Sequence, residues 1–157
     1  MNLSTMEKMC FSTVRIETND TNGNNYSGTG FFFNLIIEGK VVPLIVTNKH
    51  VVQGMVKGRF ILTESDEYGA PVYKKHFTIS IDDGFEKHWI MHPDSLVDIC
   101  VMPINPIIEL AQKQFKKSFF FIPFDNSLGS IGITLSSIYT LVPLITASLS
   151  IKLLAFT

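Results

Sequence analysis

Cysteine is scarce in this chain: Cys10 and Cys100 are the only two. Two thiols cannot staple a small scaffold, and no CxxC pair is present to hold a metal or carry redox chemistry. Two buried free thiols are expected in preference to a single bridge. Charge is also sparse. Charged residues make up 17% of the sequence, below the usual quarter. The 13 Lys and Arg against 14 Asp and Glu leave a net charge of -1. Such a balance supplies no field to draw in nucleic acid or an anionic membrane. The opening MNLSTMEKMCF has no basic stretch leading into an apolar run, so it reads as a poor signal peptide and points to the cytosol. Between Asn126 and Ile151 no residue is charged at all.

Apolar and aromatic residues are plentiful. Thirteen phenylalanines in 157 residues argue for a packed interior and against disorder, and the length suits one domain. Residues 1–10 read as a lead-in. Phe11–Thr18 alternates apolar and polar side chains and predicts a strand. Asn19–Asn25 predicts a loop. Ser27–Ile37 and Val41–Asn48 flank a short turn and predict a hairpin. The segment HVVQG predicts one helical turn. Gly58–Glu64, Lys75–Asp82 and Asp98–Ile104 add three strands. From Pro106 to Phe119 the apolar period lengthens to that of an amphipathic helix, with proline at its start and lysines near its end. Phe119–Phe124 is expected to be extended.

Three segments bear on function: SGTGFFF at 27–33, TNKHVV at 47–52 and LVDICVMPI at 96–104. In this order they resemble the trypsin-like, HtrA-like serine peptidases. Gly28, Gly30, Phe31 and Phe32 match a Gly-x-Gly strand. Thr47, His50, Val51 and Val52 match the turn bearing the general base. Asp98, Ile99, Val101 and Met102 match the strand bearing the aspartate, with Cys100 where the family often has alanine.

The resemblance implies a mostly β fold over residues 11–104: a closed six-stranded antiparallel barrel of the chymotrypsin type. Residues 105–127 would be a helix and connection, and 128–157 a charge-poor apolar tail. The second barrel would be absent or incomplete. It further implies His50 and Asp98 as catalytic residues, no cofactor, and a peptide or protein substrate. An imidazole accepts the proton of a nucleophile, and a carboxylate on the other ring nitrogen holds the tautomer. The family's Gly-x-Ser-Gly nucleophile segment is missing. Ser130, in GSIG, does not fit that pattern, and Ser136, Ser137, Ser148 and Ser150 have no supporting context. The reading is therefore a serine endopeptidase-like chain that is incomplete and inactive, or a non-catalytic protease-like interaction module.

The missing barrel would leave an apolar face open to self-association. The tail at 131–151 is long and apolar enough for a membrane span. His88, His92 and Asp94 are the remaining metal-type cluster, but His-x-x-x-His without its glutamate beside Pro93 is a weak ligand pattern, and no metal is expected. Lysines at 57, 74–75 and 116–117 are scattered and read as solvated faces rather than a nucleic-acid surface.

Overall fold

The Glu38–Gly39 pair turns the chain sharply between two apolar strands. Both residues have positive φ, 49° and 74°, the conformation that two-residue hairpin turns demand. The turn joins β2 (Asn25–Ile37) to β3 (Lys40–Thr47), in antiparallel register from Phe31↔Val46 to Ile37↔Lys40. The computed structural model describes residues 1–125 and 132–154. Around this hairpin lie β1 (Thr13–Asp20), β4 (Met55–Ser65), β5 (Pro71–Ile81), β6 (Ile90–Met91), β7 (Cys100–Pro103) and β8 (Phe119–Phe120). The helices are α1 (Thr5–Ser12), α2 (Lys49–Val52), α3 (Asn105–Gln114), α4 (Gly132–Thr140) and α5 (Val142–Leu154).

These strands form one open sheet in the order β5-β4-β1-β2-β3-β7-β6, with β8 added on β4. This corrects the expected closed six-stranded barrel of the chymotrypsin type. Closure would need a ladder between β5 and the opposite end, and none is present among the described residues. The reason lies in β7. One of its edges pairs with β3 along Cys100–Pro103, and the two-residue β6 takes only Cys100 and Val101 on the other, so Met102 and Pro103 face β5 without a ladder. The gap is covered by side chains instead. A cavity of about 140 Å³ there is lined by Ile79 and Ile81 of β5, Met102 of β7, and Ile107 and Leu110 of α3.

The strict alternation of β2, β3 and β7 feeds two cores. Phe32, Ile45, Cys100 and Met102 face a large interior with Ile16, Phe60, Ile79 and Ile107. Their neighbours Phe33, Leu35, Leu44, Val46 and Val101 face the other way. There they meet Ile138, Leu141 and Ile145, all fully buried. Strands buried on both faces read as near-continuous apolar runs, which is why VVPLIV and FFFNLII carry so few polar residues. The expected membrane-span segment, residues 131–151, lies mostly in α4 and α5, with residue 131 outside the described residues. Among the described residues no helix is long and apolar enough to cross a membrane.

Residues 1–10 are more than a lead-in. Ser4 accepts from the Glu7 amide at 3.2 Å, and the Glu7 carboxylate accepts from the Ser4 amide at 2.8 Å. This reciprocal capping box starts α1, and it is legible in the sequence as S-x-x-E. Phe11, near the end of α1, meets the Phe120 ring edge-on at 5.1 Å, and its carbonyl accepts from Ile122. The expected extended FFFIPF segment is thereby held: two of its residues form β8, and Phe124 makes a parallel bridge to Phe33.

Candidate functional site

The end of β3 positions the site. Thr47 is the last residue of that strand and pairs with Cys100, bringing the segments after Thr47 and before Cys100 side by side. The chain then turns into α2, which carries His50. Strand β2 passes directly beneath: a Cβ on Gly28 would lie 2.7 Å from both γ carbons of Val51. The absence of a side chain at Gly28 is thus what lets α2 sit down on the sheet. Thr47 Oγ1 donates to the Thr29 carbonyl at 3.0 Å and Thr18 Oγ1 to the Val51 carbonyl at 3.4 Å, fixing both ends of the turn.

Opposite lies the loop from His92 to Ile99. The His92 amide donates to the Ile99 carbonyl, and the buried His92 ring accepts from the Asp94 amide at 3.1 Å. The Asp94 carboxylate accepts from the Leu96 amide, a turn role. At the end of this loop the Asp98 carboxylate reaches α2. Its Oδ2 lies 2.5 Å from His50 Nδ1, and its Oδ1 accepts from the His50 amide at 3.2 Å. Partial burial pushes the Asp98 carboxyl up. The His50 ring and the amides of His50 and Lys49 pull it down further, so it sits below its ordinary value.

The pair is open to solvent, with side chains 72% exposed for His50 and 48% for Asp98. The carboxylate holds Nδ1, so the Nε2 edge is the one available for chemistry. No hydrogen bond to Nε2 exists among the described residues. Beneath the pair, Cys100 is fully buried and donates to the Thr47 carbonyl at 3.7 Å. Burial and the Asp98 charge push its thiol up to about 12, so it is no nucleophile. Cys10 is exposed, contrary to the expectation of two buried thiols, and both are free.

Among the described residues no third residue completes a triad. Ser136 is exposed and Ser137 is buried, both in α4, while Ser130 lies outside the described residues. The metal-type cluster is dispersed: His92 and Asp94 bond each other within the loop, and His88 lines the cavity beside α3. Among the described residues no group of three or more His, Cys, Asp or Glu could hold a metal ion.

No family model, curated protein or solved structure matches this chain. Together with the open sheet and the lack of a third residue among those described, this overturns the trypsin-like assignment, and with it the serine endopeptidase-like reading and its non-catalytic protease-like variant. Sequence reasoning also missed Asn48. Its side chain donates to the Asp98 carbonyl at 2.8 Å, and the neighbouring Lys49 ammonium donates to the Asp94 carbonyl at 2.8 Å. An Asn directly before a helical turn signals an N-cap, but nothing local announces a bond to a residue fifty positions away.

Proposed function

We propose that His50 and Asp98 form a proton-transfer dyad, with His50 as general base and Asp98 as the group that orients it. The observation that carries this reading is the 2.5 Å contact between His50 Nδ1 and Asp98 Oδ2, with the opposite ring edge facing solvent. A carboxylate so placed favours the Nδ1–H tautomer and leaves a lone pair on Nε2. It also stabilises the imidazolium formed when that lone pair takes a proton. The reaction class is proton abstraction from a water, hydroxyl or thiol brought to the open rim by the substrate.

A second reading has an observation of its own. Asp98 also accepts from the His50 amide, so the contact could serve to tie the 92–99 loop to α2. Side-chain nitrogen NMR separates the two. The dyad predicts a dominant Nδ1–H tautomer for neutral His50 in the wild type. Asp98→Asn, which presents an amide donor in place of the acceptor, reverses it toward Nε2–H. Hydrolysis of an activated aryl ester by the wild type should be lost in His50→Gln. A wild type already in the Nε2–H form, or ester hydrolysis unchanged in His50→Gln, rejects the proton-transfer role.

A further inference from the structure

Asn48 occupies the N-cap position of α2, with extended backbone angles of -83° and 146°, yet its side chain makes no capping bond. An Asn at this position ordinarily accepts from the second or third amide of its own helix. Here the second amide, that of His50, donates to Asp98 Oδ1 instead. The Asn48 amide group in turn donates outward to the Asp98 main-chain carbonyl at 2.8 Å. The two residues have exchanged tasks. Asp98 caps the helix that Asn48 begins, and Asn48 holds the backbone of Asp98. It is the reciprocal logic of a capping box, split between two segments of chain.

We infer that Asn48 is the positioning residue of the dyad, fixing the Asp98 backbone so that its carboxylate bridges the His50 amide and ring. This rests on the proton-transfer reading of the pair. Asp98 is held first through its carbonyl by Asn48, and then through its carboxylate by the His50 amide, the Lys49 amide and the imidazole. The carboxylate contacts depend on side-chain torsions of an exposed residue, which on their own leave the carboxylate free to rotate into water. The first fixes the Cα from which those torsions start. Lys49 secures the far end of the same loop through the Asp94 carbonyl, and its backbone amide bonds the Asp98 carboxylate, but it does not hold the Asp98 main chain. Preorganisation of this kind matters because a general base acts only when its lone pair is already aimed at the proton it takes.

The exchange makes a prediction that a purely structural role would not. Serine is as good an N-cap as asparagine, but too short to reach the Asp98 carbonyl. Asn48→Ser restores an ordinary local cap and releases Asp98. The experiment measures the melting temperature, the His50 tautomer by nitrogen NMR and the Asp98 carboxyl titration by carbon NMR. These are compared in the wild type, Asn48→Ser and Asn48→Ala. The expected result is a melting temperature in Asn48→Ser close to wild type. The Nδ1–H tautomer loses its dominance in both variants, and the Asp98 titration moves up toward the ordinary carboxylate value. If Asn48→Ala does not fold, Asn48→Ser alone decides. Variants that melt earlier while His50 keeps its tautomer and Asp98 its titration overturn the inference and leave Asn48 a structural link. A wild type already in the Nε2–H form is a different failure: it removes the dyad itself.

Discussion

Replacing Gly28 with alanine tests how α2 is seated. The new Cβ would lie 2.7 Å from both γ carbons of Val51 and 3.3 Å from its β carbon. Carbon atoms in contact sit at about 3.5–4.0 Å, so Val51 must retreat by about 0.8 Å or more. Rotating the Val51 side chain does not remove the overlap, because both of its branches and its β carbon lie against the new atom. The strain therefore passes to the backbone of α2, which carries His50. Overpacking of this size costs about 1–3 kcal/mol. Alanine recovers about 0.4–1 kcal/mol by restricting the unfolded chain. The net loss is about 1–2 kcal/mol, or a fall of about 2–8 °C in melting temperature for a chain of this size. Urea unfolding should give the same loss through a lower midpoint at unchanged slope. Val51→Ala removes both γ carbons, so the double variant should recover part of the loss, with a coupling of about 1 kcal/mol. A Gly28→Ala protein as stable as wild type, or a cycle additive to within about 0.3 kcal/mol, would refute the argument that close approach seats the turn.

Three more expectations follow from the packing and charges. Titration with an aromatic disulfide should find one fast-reacting cysteine, Cys10, and a second, Cys100, that reacts only on unfolding, since it is fully buried with its thiol pushed up to about 12; two fast thiols would contradict the buried position. Phe85→Ala should destabilise by about 3–5 kcal/mol, because this fully buried ring stands over Gly58 and against Phe60 and Trp89, and a denaturation midpoint near wild type would show that the ring does not anchor the core. The Asp98 carboxyl is held below its ordinary value, so its contribution is present above the unfolded value of about 3.9 and is lost as pH falls through the lower folded value. The stability difference between wild type and Asp98→Asn should therefore shrink below about pH 4, and a difference that stays constant down to pH 2 would show that the carboxylate is not tied to α2.

Much of the local structure could be read from sequence, and the strand ends show why. Alternation places Ile16, Phe60 and Ile79 on one face, and the Glu38–Gly39 turn sets the β2–β3 register, because both signals act over a few neighbouring residues. The capping box at Ser4 and Glu7 was equally local, yet the segment read as a lead-in, since eight residues make a marginal helix without the packing that Phe11 finds on Phe120. Bulk pattern was less informative about the tail. A charge-free apolar run suits a bilayer and a protein core alike, and only the second apolar face of β2, β3 and β7 decides for Ile138, Leu141 and Ile145.

The candidate site divides the same way. Sequence alone determined that His50 follows an apolar strand and that Asp98 precedes another, and it supplied the glycine that lets α2 lie close to β2. The tertiary structure decided the rest. Whether the sheet closes depends on what meets the outer edge of β7, where β6 pairs with Cys100 and Val101 and no ladder joins β5 among the described residues. Whether Asp98 meets His50 depends on the Thr47↔Cys100 pair and on Asn48 reaching across to the opposite loop. Both are contacts between residues far apart in sequence. Their free energy comes from edges and donors that no local pattern records, so only the folded chain reveals them.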